Sequence, residues 1–127
     1  MNAFPIKPIT AGLLLLATIP SGIWLSRKGK PYNTGIFTIH KLIAVAAVVL
    51  IGMSIYDLHS IAGLWTSIVI SVFALTALLY LAMVATGALL SLNVSLHGIT
   101  LRIHQAAPTL VFLSTTYIIY TLISTTL

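Results

Sequence analysis

The chain has 127 residues, of which 59% are apolar and only 6% charged, with six Lys/Arg against a single acid, Asp57. A soluble domain carries about 25% charged residues, so this chain cannot cover a surface that faces water all round, whereas an apolar exterior is correct in lipid. The lack of cysteine excludes disulfides, thiolate zinc sites, iron–sulfur clusters and thiol catalysis, and with one carboxylate there is no acid pair for hydrolysis.

Four apolar segments follow in order, at residues 9–26, 35–56, 61–92 and 99–123. Each reaches the roughly 17–25 residues that a helix needs to cross a bilayer, and helices are the spans that pair their own backbone in lipid. The first is read as a retained helix: Lys7 precedes it, but no small-x-small cleavage site follows before the basic run at 27–30. Residues 27–34 (RKGKPYNT) end it, with Gly29 and Pro31 as breakers. Residues 57–60 (DLHS) follow the second segment, and Asp57 or Ser60 is expected to cap the third. That third segment is longer than a crossing needs, which predicts tilt. Residues 93–98 (NVSLHG) lead into the fourth. Pro108 lies inside the fourth, four residues after His104, where it removes a backbone bond and is expected to bend the helix. Short connections make successive helices antiparallel neighbours. The expected fold is an all-α membrane protein, an up-down bundle of four transmembrane helices forming one domain over residues 1–127.

The net charge of +5 does not indicate nucleic acid, because the bases sit at the ends of apolar runs. In the expected bundle Arg27, Lys28, Lys30, Lys41 and Arg102 fall on one face and Lys7 on the other. The positive-inside rule then puts the first and third loops in the cytoplasm and both termini outside, in a plasma (inner) membrane. Trp24 and Tyr32 would mark the inner interface; Tyr56, Trp65 and Tyr120 would mark the outer one.

The two halves are weakly alike. Ser21-Gly22 near the end of the first segment matches Thr86-Gly87 near the end of the third, and His40 and His104 follow Gly22 and Gly87 by 18 and 17 residues. A one-residue gap aligns them, which implies a pseudo-two-fold bundle with a site on its axis.

His40 and His104 each lie about one and a half turns into a helix that starts on the same side. Two imidazoles at matched depth suit haem iron, which takes one axial ligand on each face of the macrocycle. Low dielectric and the positive end of a helix both favour neutral imidazole, the ligating form. Haem propionates would meet Arg27, Lys28, Lys30, Lys41 or Arg102. Ala44 and Ala47 beside His40, Ala107 and Pro108 beside His104, and Gly22 and Gly87 on the other helices leave room for a flat group. His97, next to Gly98 in the third connection, is the rival: it would replace His104 or hydrogen-bond a propionate. A helix holds a ligand more rigidly than a loop does, which favours His104. His59 lies on the opposite face beside Asp57, where the pair would take protons at a quinone pocket or form a plain polar turn.

With His40 and His104 in the second and fourth helices, and Gly22 and Thr86-Gly87 in the helices between, the chain resembles the four-helix membrane b-type cytochromes, including the cytochrome b561-like proteins. Those proteins usually carry a histidine pair near each membrane face; here a pair stands on one face only. The resemblance implies one low-spin haem b, with a quinone or a partner redox protein exchanging electrons with it. The expected function is electron transfer through that haem; whether the chain is itself an enzyme stays open.

Two other readings stand beside it. A cofactor-free scaffold or accessory subunit would use its histidines between helices. A small transporter or channel would line a path with Thr76, Tyr80, Ser114, Thr115, Thr116 and Tyr117. No phosphate-cradling glycine loop, zinc-protease pattern or Ser-His-Asp set occurs. Homodimerisation is compatible with all three readings.

Overall fold

In a computed structural model the described residues form four helices and no strand: α1 (Ile6–Lys28), α2 (Thr34–Leu58), α3 (Ser67–Ser91) and α4 (His97–Thr126). The structure describes residues 6–58, 65–92 and 97–126, with the backbone alone at Leu58, His97, Leu122, Thr125 and Thr126. His59 and Ser60 lie outside the described residues.

The helix ends follow from local chemistry. Arg27 and Lys28 occupy the last turn of α1, where cations complement the negative end of the helix. Gly29 follows with φ +67°, the left-handed conformation that commonly closes a helix and that glycine adopts without a Cβ penalty. Asn33 caps α2: the Ile36 amide donates to its Oδ1 at 3.1 Å and the Phe37 amide to its carbonyl at 3.0 Å. Thr66 caps α3, its hydroxyl accepting from the Val69 amide at 3.4 Å. The expected caps for α3 are thereby corrected, since Asp57 lies within α2. α3 has 25 residues and spans about 37 Å. α4 runs continuously through Pro108, as α1 does through Pro20.

The chain divides into two compact units: α1 and α2 with the end of α4 from Thr121, and α3 with the rest of α4. In the first unit Ser21 meets His40 and Lys7 meets Asp57, so α1 and α2 run antiparallel. In the second, Thr86 meets His104 and Tyr80 meets Thr115, so α3 and α4 do the same.

Each helix buries residues spaced mostly three, four or seven apart: Pro8, Ala11, Leu15, Thr18 and Leu25 on α1; Ala47, Ile51 and Ser54 on α2; Val69, Phe73, Thr76, Tyr80, Thr86 and Leu90 on α3; Thr100, Ala107, Val111, Thr115 and Ile118 on α4. That is the periodicity of one helix face. The polar content is inverted relative to a soluble protein. Thr18, Ser54, Thr76, Thr86, Thr100 and Thr115 are buried, while Leu13, Leu42, Val45, Leu75, Leu78, Leu81, Leu110 and Leu113 are exposed. Four of these hydroxyls donate within their own helices: Thr18 to the Leu15 carbonyl at 2.6 Å, Ser54 to Leu50 at 2.7 Å, Thr76 to Val72 at 2.7 Å and Thr86 to Ala82 at 2.7 Å. α1, α2 as far as Asp57, and α3 are each long and apolar enough to cross a membrane.

Candidate functional site

His40 and His104 continue the buried stripes of α2 and α4 by helical spacing, seven residues before Ala47 and three before Ala107. Each ring is half-buried. Each is seated against the neighbouring helix of its own unit by a hydroxyl and a glycine.

In the first unit the Ser21 Oγ lies 2.9 Å from His40 Nδ1. The same hydroxyl lies 3.0 Å from the Ala17 carbonyl and 3.0 Å from the Thr18 carbonyl. A serine has one proton to donate. The carbonyls can only accept, so that proton goes to the backbone and the hydroxyl oxygen accepts from the imidazole. The network therefore assigns the proton to Nδ1 and the lone pair to Nε2.

The second unit repeats this arrangement. Thr86 Oγ1 lies 2.9 Å from His104 Nδ1, 2.7 Å from the Ala82 carbonyl and 3.2 Å from the Met83 carbonyl. By the same count His104 is a donor at Nδ1 and carries its lone pair on Nε2. Histidines that ligate metal almost always donate their other ring N–H to a fixed acceptor, which sets the tautomer and the ring orientation.

The glycines complete the seats. A Cβ placed on Gly22 would stand 3.2 Å from His40 Cε1, and one on Gly87 would stand 3.2 Å from His104 Cε1. Both separations are tighter than ordinary van der Waals contact. The absence of a side chain at these positions lets the imidazole itself approach the helix, which adds a specific task to the general one of leaving space. Ala47 and Ala107 are buried, and Ala44 and Pro108 are half-buried.

The remaining candidate residues are more peripheral. Arg27 is exposed in the last turn of α1, Lys41 is exposed beside His40, and Arg102 is exposed on α4. The Lys41 ammonium lies over the Phe37 ring at 4.1 Å from its centroid. His97 is the first residue of α4 rather than part of a loop, and its side chain lies outside the described residues. Asp57 pairs with Lys7 at 2.7 Å, both side chains about half exposed. No group of three or more metal-ligating side chains occurs among the described residues, so a metal here would depend on a ligand such as a macrocycle to supply the rest of its coordination.

The roles of Ser21 and Thr86 are not assigned by sequence reasoning, although both fall within the repeated segments. The available signal is that a hydroxyl residue immediately precedes each of the two matched glycines. The chain matches no family model, no curated protein and no solved structure.

Proposed function

We propose that this chain is a four-helix membrane protein that binds one haem b through His40 and His104 and passes electrons between a quinone or a partner redox protein and an acceptor. The observation that carries this reading is the recurrence of one device in both halves: a hydroxyl 2.9 Å from Nδ1 orients the imidazole and a glycine admits the ring. One such histidine is an ordinary interhelical hydrogen bond. Two such histidines, six residues after the start of α2 and seven after the start of α4, would supply the two imidazoles that one haem takes.

The residues present fit the group. Two neutral imidazoles are the donor set of a low-spin haem, which supplies a one-electron couple when bound. The chain's own residues would ligate it at Nε2, hold the rings through Ser21 and Thr86, and neutralise propionates with Arg27, Lys41 or Arg102, with His97 as a further donor. The membrane setting is supported by the three apolar spans and by the inversion of polarity: threonine and serine buried, most of them bonded within their own helices, with leucine and valine outward. In this reading the helices run up and down across a plasma (inner) membrane, with both termini outside the cytoplasm.

A second reading keeps the seats and dispenses with the cofactor: the same hydrogen bonds tie helices together in a scaffold or accessory subunit. The channel reading is weakened, because Thr76, Ser114 and Thr116 donate to carbonyls of their own helices and Tyr80 bonds Thr115.

The deciding experiment is a visible spectrum of the detergent-purified protein, oxidised and dithionite-reduced. A sharp Soret band with split reduced bands, lost in both His40→Ala and His104→Ala, is the expected result. A folded, colourless protein that takes up no added haem would overturn the cofactor and leave the scaffold.

A further inference from the structure

Among the described residues six serine and threonine side chains are buried, and hydrogen bonds account for five of them. Thr18, Ser54, Thr76 and Thr86 donate to carbonyls of their own helices, and Thr115 bonds Tyr80. Thr100 is the exception. It is 8% exposed, and its hydroxyl has no hydrogen-bond partner among the described residues. Burying an O–H without an acceptor is costly, and in lipid no water stands in for one.

The place of Thr100 in the fold says which acceptor suits it. Thr100 precedes His104 by four residues, so the two side chains share one face of α4, one turn or about 6 Å apart along its axis. His104 is the residue seated for a ligand, through Thr86 and Gly87. Thr100 lies on the side of it nearer the helix start, at the end of the first turn of α4. Amide dipoles give that end of a helix a partial positive charge, and Arg102 follows two residues on. Both favour an anionic acceptor over a neutral one. With His40 aligned on His104, the counterpart of Thr100 in α2 is Ile36, which has no hydroxyl. The histidine seats are duplicated; this hydroxyl belongs to one half alone.

We propose that Thr100 donates a hydrogen bond to a propionate carboxylate of the haem ligated by His104, as a buried anchor beside the exposed Arg102. This rests on the haem reading and adds to it a residue that recognises the carboxylate of the porphyrin rather than its iron. The hydroxyl is the donor, because an ionised carboxylate can only accept, and a bond to a charged acceptor is stronger than one between neutral groups.

The test is titration of the full chain in detergent with haemin and with haemin dimethyl ester, in which both carboxylates are capped and uncharged, followed by the Soret band in the wild type, Thr100→Val and Thr100→Ser. Thr100→Val should weaken haemin binding roughly 10-fold, the effect of losing one hydrogen bond to a charged group, and Thr100→Ser should restore it. The ester should bind the wild type and Thr100→Val alike. Without haem, Thr100→Val should melt no lower than the wild type, since valine replaces an unpaired O–H with a methyl group of similar shape. Equal weakening for both porphyrins, unchanged haemin binding in Thr100→Val, or a lower melting point of that variant without haem would overturn the role of Thr100 and leave the haem reading intact. A wild type that takes up neither porphyrin would overturn both.

Discussion

The α1–α2 pair and the α3–α4 pair match where the histidines sit and differ elsewhere. Both seats combine a 2.9 Å bond to Nδ1 with a glycine 3.2 Å from Cε1. Away from the seats, α1 and α2 are joined by an exposed ion pair, Lys7–Asp57, whereas α3 and α4 are joined by a buried neutral bond, Tyr80 to Thr115 at 3.3 Å. Depth accounts for the difference. Lys7 and Asp57 lie at helix ends, where charge stays solvated, while Tyr80 lies in the middle of α3, where desolvating a charge is costly. The parts that ligand chemistry would need are duplicated, and the parts that only fasten helices are adapted to their place.

If the proposed haem is bound, the largest effect expected is loss of its bis-imidazole spectrum in His40→Ala or His104→Ala; a loss in one variant alone would show that the two seats are not equivalent. Next come Ser21→Ala and Thr86→Val, which remove the acceptor and free the tautomer. Each should weaken haem retention by roughly 10–100-fold, the usual cost of losing such a partner, and shift the midpoint potential, with Thr86→Ser restoring both. Gly22→Ala and Gly87→Ala should each cost about 1–3 kcal/mol by overpacking, read as a lower thermal midpoint in detergent. Their matched 3.2 Å separations predict matched losses, and a tolerant glycine in one half alone would break the symmetry. Tyr80→Phe should cost about 0.6 kcal/mol, typical of a membrane-buried hydrogen bond. Lys7→Gln should cost less still, under about 1 kcal/mol and shrinking as salt is added.

Much of the architecture is legible in the sequence because apolar length is a direct physical requirement, and each of the four described helices overlaps one of the apolar segments. The ends are less legible. Hydropathy smooths over Trp65, Thr66 and Ser67, so the start of α3 and its cap are hidden inside what reads as one long segment. Asn33 is similarly lost in a polar turn whose capping geometry depends on backbone direction. At the site, the alignment of Gly22 with Gly87 and of His40 with His104 is visible in the letters. What the letters do not carry is that Ser21 and Thr86 spend their protons on their own helix. That depends on the backbone carbonyls one turn back, which every helix has and no side-chain pattern advertises.

Each pair also completes its seat with its own hydroxyl, its own glycine and its own histidine. Such a hairpin is modular in the genetic sense: a tandem copy of a two-helix ancestor would inherit a finished ligand at once, with no new contact to evolve. Either hairpin could therefore be altered without disturbing how the other holds its imidazole.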